Sequence, residues 1–417
     1  MPSLLSGIIQ APGSKSDAQR IVACALLAKG TTTIHRFPEG DDCEAALQIV
    51  QDLGAIVFRK GSTVEIKGGF PQAFAAGIRN PKEEIQCGES GLSSRMFASI
   101  AALSEMPISL TGKGSLLIRP FHDLIHALEQ SGVVVESRDG CLPMLVCGPL
   151  RGGRIQLDAS LSSQFLTGLL IALARATEPS MVEVSQLNSK PYIDLTLEVL
   201  AKFGVAIKNE DYQRFHISPK AFKGTELSVP GDWSGASFLL VAGALASPEG
   251  LIVANLDVNS AQADKAVLDA LQLAGVKFEV LPDAIQIWQS EIRAFEFDAT
   301  HCPDLFPPLA AMAAFANGVS ILRGVSRLKY KESNRARALQ QEFAKAGVRI
   351  VLRDDEMKIY PAPIRSAQLH SHNDHRMAMA AAILGLAGAR ITIQQASSVS
   401  KSYPDFFAEL KRLGARV

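Results

Sequence analysis

The stretch "LTLEVLAKFGVAI", residues 195–207, reads as an amphipathic helix that stops at Gly204 and turns straight into an apolar strand. Its signature is Leu200-x-x-x-Gly204. A glycine just past the last helical residue ends a helix cheaply, because it enters the left-handed region with no Cβ to clash. The same break, or a close variant, recurs at Gly54, Gly132, Gly275, Gly347 and Gly414. The spacing stays near ~70 residues, and self-similarity at a fixed period marks a repeat architecture.

A second series interleaves with the first. Alanine-rich apolar stretches end near Gly30, Met106, Pro179, Gly250, Gly318 and Gly388, each followed by strand-like residues such as "TTTIH", "ISL", "MVEV" and "VSIL". Each unit therefore carries two helices, one apolar nearly all round and hence buried, the other amphipathic and hence outer, with short strands between them. The expected fold class is α/β, built from six repeated βαβαββ-type units.

Lys plus Arg equals Asp plus Glu at 42 each, so there is no overall basic field to hold nucleic acid or an anionic membrane surface. The six cysteines (Cys24, Cys43, Cys87, Cys141, Cys147, Cys302) contain no C-x-x-C pair, and the first residues lack a secretory signal pattern. No apolar run approaches the ~20 residues that span a bilayer. A soluble, cytoplasmic chain with free thiols and neither nucleic-acid nor membrane partners is expected. Neither a metal-ligand cluster nor a dinucleotide fingerprint is present, so no cofactor and no metal are expected. Single cores stop growing near ~250–300 residues, so 417 residues imply two or three domains.

The heads of the buried helices are unusual. In order they are Ser14-Lys15-Ser16, Glu89-Ser90-Gly91, Ser162-Ser163-Gln164, Asp232-Trp233-Ser234, Cys302-Pro303-Asp304 and Asn373-Asp374-His375-Arg376. Helix capping accounts for the Ser, Asp and Asn residues. It does not account for Lys15, Arg20, Arg95 or Arg376, because a cation in the first turns opposes the helix dipole by a few tenths to ~1 kcal/mol. The outer helices repeat the theme with Arg119-Pro120, Ser189-Lys190-Pro191-Tyr192, Lys331-Glu332 with Arg335, and Lys401 ahead of Pro404. If equivalent units place equivalent ends on one side, these groups converge on a single cleft that takes an anion. The segment "QAPGSKSDAQRIV", residues 10–22, is not a Walker loop, since Gly7 is too far back and Ser14 intervenes before Lys15.

The strings "APGSKSDAQR", "CGESGLSSRM", "IRPFHDL", "SSQFLTGLL", "SKPYIDLTL", "PGDWSGASF", "KYKESNRARAL", "NDHRMAMAAAILG" and "KSYPDFF", in this order over residues 11 to about 407, resemble the enolpyruvyl transferase family, on the branch of the 5-enolpyruvylshikimate-3-phosphate (EPSP) synthases. The resemblance implies two domains of three repeats each around an interdomain cleft. One domain would comprise 1–13 with 231–417 and the other 14–230, with hinge crossovers near 11–16 and 228–233. It also implies closure over substrate, a monomer, and transfer of the enolpyruvyl group of phosphoenolpyruvate to the 5-hydroxyl of shikimate 3-phosphate, releasing phosphate.

Carried over position by position, the resemblance assigns shikimate 3-phosphate to Lys15, Ser16, Arg20, Ser162, Ser163, Gln164, Ser189, Asp304 and Lys331. It assigns phosphoenolpyruvate to Lys15, Gly91, Arg119, Gln164, Arg335, Arg376 and Lys401. Asp304 would take the hydroxyl proton, Glu332 would serve C3 of the enol, and Lys15 would stand near the leaving phosphate. Tyr192 either packs under the substrate ring or fills the core. Around Arg95 this chain departs from the family pattern at Glu89, Leu92 and Met96. An acid at Glu89 near an anion site is expected to turn away or to pair with Arg95. The Arg327 position usually holds a small polar residue. The rival readings are the sister transferase that acts on UDP-N-acetylglucosamine, whose loop carries a nucleophilic cysteine where residues 111–120 here have none, a P-loop-like kinase, and a non-catalytic repeat scaffold.

Overall fold

The computed structural model describes residues 3–70, 84–386 and 388–416. The chain divides into two compact units, Met1–Ser14 with Pro230–Val417, and Lys15–Val229.

In the Lys15–Val229 unit the three nearly all-apolar segments form the helices Lys15–Leu27, Gly91–Ala101 and Ser163–Leu173, almost wholly buried. They can lie this close because small residues sit at the crossings. A Cβ on Gly168 would come within 2.9 Å of Arg95 O and Met96 Cα, so the Ser163–Leu173 and Gly91–Ala101 backbones meet where no side chain fits. The amphipathic segments form the outer helices Asp41–Asp52, His122–Glu129 and Pro191–Lys202. Three sheets cover the core, and each has one pattern. In the second, Glu84–Gln86 runs parallel to Ile108–Thr111, which pairs antiparallel with Cys141–Cys147, itself antiparallel to Val134–Arg138.

The other unit repeats this plan around the helices Trp233–Ala246, Phe306–Ala313 and His375–Gly385. Its outer helices are Val267–Leu273, Arg335–Lys345 and Phe406–Arg412. In its first sheet Ile9, Val253 and Ile285 stand in line across three strands, all buried, each such side chain contributing roughly 1.5–3 kcal/mol. Each unit takes one strand from the segment of its own sequence that adjoins the crossover. Gly7–Gln10 pairs with Leu251–Ala254 in this unit, whereas Glu226–Ser228 completes the sheet of Thr31–His35 in the Lys15–Val229 unit. The two segments of this unit at the crossovers are joined where Ser14 N–H donates to Pro230 O and Asp232 N–H to Pro12 O, both at 2.7 Å.

All six glycines of the sequence pattern have positive φ, between 72° and 112°. At each one the glycine N–H returns to the carbonyl three residues back, and the next residue's N–H to the carbonyl five back, as in Gly204 to Ala201 and Val205 to Leu200. This is the Schellman closure of a helix. Five units are complete βαβαββ repeats. The sixth shows, among the described residues, only the parallel pair Ala367–His370 and Ile391–Gln394.

Candidate functional site

Within Lys15–Val229, the helix heads carry the groups singled out from the sequence. Lys15 Nζ reaches Asp42 Oδ2 at 2.9 Å, both side chains being mostly buried. Asp42 sits in the first turn of an outer helix, where an acid is favoured by the dipole. Here it also holds the lysine. Arg20 is 1% exposed, and its four hydrogen bonds among the described residues go to neutral oxygens. Nε donates to Thr196 Oγ1 at 3.0 Å, Nη1 to Ser16 O at 2.8 Å, and Nη2 to Tyr192 O at 3.2 Å and Thr167 Oγ1 at 3.5 Å. Burial pulls its pKa down to about 10 against the pull of Asp17, so it stays charged at neutral pH. A buried guanidinium held by neutral acceptors keeps an appetite for an anion.

Ser162 caps its helix by accepting from Gln164 N–H at 3.3 Å, and Ser163 and Ser189 are buried beside their helix starts. Tyr192 is half-buried, its ring 6.0 Å from the Arg20 guanidinium. Ser90 and Ser93 both donate to Gln19 Oε1, at 2.9 and 2.7 Å, which ties two helix heads together. Met96 is wholly buried in the core.

Gly91 is the meeting point of this cluster. A Cβ there would lie 2.7 Å from Arg119 Nη1, 3.4 Å from Arg95 Nη1 and 3.7 Å from Gln164 Oε1. The missing side chain is what lets two guanidinium groups and an amide converge over one backbone turn. Arg95 donates to Gln164 Oε1 at 2.7 Å and lies over the rings of Phe121 and Phe165. Arg119 donates to Ser115 Oγ at 2.9 Å.

In the other unit the groups gather on three carboxylates and one arginine. The Arg335 side chain has no exposed surface, and its N–H groups go to acids. Nε donates to Asp374 Oδ2 at 2.8 Å, Nη1 to Asp304 Oδ1 at 2.6 Å, and Nη2 to both Glu332 Oε2 and Asp374 Oδ1. Asp304 also meets Lys331 Nζ at 3.3 Å and Arg376 Nη2 at 3.1 Å. Arg376 further donates to Ser234 Oγ and to His375 Nε2. An arginine can only donate, so that ring nitrogen accepts and the imidazole proton sits on Nδ1. Asp374 caps its helix by accepting from Arg376 N–H at 3.0 Å. Lys401 Nζ donates to Asn373 O at 2.6 Å.

The electrostatics follow from this crowding. Burial alone would raise the Asp304 carboxyl, but Arg376, Lys331 and Arg335 together hold it far below the ordinary carboxylate range. The buried Asp264 carboxyl goes the other way, pushed up to about 7 by burial and by the negative charge of Asp304, against Arg376. Burial draws the Lys331 ammonium below its ordinary range, with Asp304 opposing and Arg335 assisting.

The structure thus gathers Asp304, Lys331, Glu332, Arg335 and Arg376 in one network, with Lys401 one residue away through Asn373. It gathers Gly91, Arg119 and Gln164 in another, with Lys15, Ser16, Arg20, Ser162, Ser163 and Ser189 at the helix starts of that same unit. Arg335, assigned to phosphoenolpyruvate by resemblance, is fully enclosed by acids. Asp42 and Asp264 were not singled out, and Asp374 and Ser234 were named at helix heads with no role beyond capping. Asp42 and Asp374 each carried a signal, an acid at a helix head, but the helix dipole accounts for the first and capping for the second. Among the described residues no group of His, Cys, Asp and Glu could hold a metal ion, and no helix is long and apolar enough to cross a membrane.

A family model described as EPSP synthase (3-phosphoshikimate 1-carboxyvinyltransferase) matches residues 1–410. Curated relatives named 3-phosphoshikimate 1-carboxyvinyltransferase include that of Aeropyrum pernix, 36% identical over 418 residues, with 100% of this chain and 95% of that protein covered. That of Thermococcus kodakarensis is 38% identical over 409 residues, covering 98% and 97%. Among solved structures, an EPSP synthase from Acinetobacter baumannii superposes with a TM-score of 0.83 at 25% identity, covering 99% of this chain and 97% of that one. With a match that runs through both helix-head clusters and nearly the whole length, the chain belongs to the EPSP synthase family.

Proposed function

We propose that the chain transfers the enolpyruvyl group of phosphoenolpyruvate to the 5-hydroxyl of shikimate 3-phosphate, giving 5-enolpyruvylshikimate 3-phosphate and inorganic phosphate. The observation that carries this reading is the Arg335 guanidinium, which holds Asp304 and Glu332 on two of its nitrogens. Addition across an enol needs a base for the hydroxyl and an acid for C3, placed a few ångströms apart. One buried arginine fixes that pair.

In the addition step the 5-oxygen bonds to C2 while its proton passes to Asp304 and C3 takes a proton from Glu332. In the elimination step C3 returns a proton and the C2–O bond to phosphate breaks, with Lys15 balancing the charge on the leaving group. Asp304 tied to three cations is a weak base. Anionic substrate groups that draw Arg376 and Lys331 toward themselves free it, so substrate binding itself raises its basicity. Arg335 then serves chiefly to position the acid and base, while Arg119, Arg376, Lys401 and Gln164 meet phosphoenolpyruvate, and Gly91 leaves room for it. Ser16, Arg20, Ser162, Ser163, Ser189 and Lys331 meet shikimate 3-phosphate. This reading requires both clusters to serve one substrate pair, with movement at the crossovers near 11–16 and 228–233. The catalytic unit is proposed to be a monomer, as the family resemblance implies.

Residues 111–120 hold no cysteine nucleophile, which argues against the UDP-sugar reading. The test is phosphate release from phosphoenolpyruvate with shikimate 3-phosphate or with UDP-N-acetylglucosamine as acceptor. Release only with shikimate 3-phosphate is expected, and release only with the nucleotide sugar overturns the assignment.

A further inference from the structure

The residue that departs from the family pattern beside Gly91 has a definite seat. The carboxylate of Glu89 lies against Gly114, where an added Cβ would be 2.8 Å from its Cδ and Oε2 and 3.0 Å from Oε1. Gly114 has φ +54°, and it opens the short turn Gly114–Ile118 that delivers Arg119. The same loop is tied to the Glu89 turn through its backbone, with Lys113 N–H donating to Gly88 O at 2.7 Å and Cys87 N–H to Thr111 O at 2.9 Å. At its far end Arg119 bonds Ser115 Oγ and stands over Gly91. The loop is thus gripped twice by one turn, by the Glu89 side chain at its start and across the bare face of Gly91 at its end.

We propose that Glu89 is a positioning residue for Arg119: its carboxylate, seated on Gly114, fixes the loop that carries Ser115 and Arg119 and so sets the affinity for phosphoenolpyruvate. The proposal rests on the enolpyruvyl transfer reading above. It explains how an acid is tolerated two residues from Gly91, because the carboxylate is turned onto the loop backbone. It also explains why residue 114 is glycine. A side chain there would occupy the carboxylate's place and would suffer the left-handed backbone as well.

The test is a double-mutant cycle of Glu89→Ala and Gly114→Ala in the full chain, with Glu89→Gln as the conservative variant, read by steady-state kinetics with each substrate varied in turn. Glu89→Ala and Gly114→Ala are each expected to raise KM for phosphoenolpyruvate roughly tenfold, with kcat and KM for shikimate 3-phosphate within about twofold. The double variant should resemble the singles, since both remove one contact. Glu89→Gln, which keeps the shape, should restore most of the affinity. A merely structural role would lower the melting temperature and affect both substrates alike. The proposal is overturned if KM for phosphoenolpyruvate is unchanged in Glu89→Ala, if both KM values rise together, or if the two losses add. Wild-type protein with no phosphate release in the presence of shikimate 3-phosphate would instead sink the underlying reaction.

Discussion

Arg335 has its side chain fully enclosed and shares hydrogen bonds with three acids, one of which, Asp374, is fully enclosed with it. Removing one member of a buried ion network leaves uncompensated charge, a loss of about 3–5 kcal/mol. Arg335→Met should therefore lower stability by about that much in urea unfolding, and activity should vanish with it. A second expectation concerns pH. Asp264 in the folded chain keeps its proton up to about pH 7, whereas in the unfolded chain it ionises near ~4. Between those values the native state binds more protons than the unfolded state, so stability falls as pH rises through this window. Asp264→Asn should remove that slope, and denaturation midpoints of both proteins from about pH 4 to 7 would reveal it. Asp304 acts in the opposite sense, since its depressed pKa adds stability that is lost as pH falls below ~4.

Helix ends decide the repeat. Gly132 has φ +79° and nothing within 4 Å of an added Cβ, while at Gly414, with φ +112°, that atom would lie 2.4 Å from Leu4 O. Gly132→Ala should cost about 1–2 kcal/mol, the conformational penalty alone, and Gly414→Ala clearly more, because the backbone of Leu4 must move. Equilibrium unfolding of the two variants separates the terms. Legibility in the sequence follows the same line. The six glycine closures and the caps Ser162, Asp232 and Asp374 were readable because each is a local rule, written within a few residues. The long-range partners of helix-head residues were not. Asp374 meets Arg335 across 39 residues and Gln19 meets Ser93 across 74, and no local pattern encodes such pairings. Glu89 stood out as an anomaly, yet its seat on Gly114 depends on a loop about 25 residues away, an interval that periodicity does not reach.

At the scale of the molecule, the way the closing strands are supplied makes the two units unequal. The Lys15–Val229 unit contains its own closing strand, Glu226–Ser228, whereas Leu251–Ala254 borrows Gly7–Gln10 from the start of the chain. A fragment of residues 15–229 should melt cooperatively by circular dichroism, while 230–417 should do so only when a peptide of residues 1–14 is supplied, because its bare strand edge invites aggregation. The central claim is that one buried arginine holds an acid and a base for enolpyruvyl transfer. Its most direct test is the turnover rate of Asp304→Ala and Glu332→Gln in phosphate release with both substrates saturating. Loss of Asp304 from the buried network lowers stability, so both variants are assayed under conditions where circular dichroism shows them folded, and each should lose about 10²–10⁴-fold in kcat. A Glu332→Gln protein that turns over at the parental rate would contradict the claim.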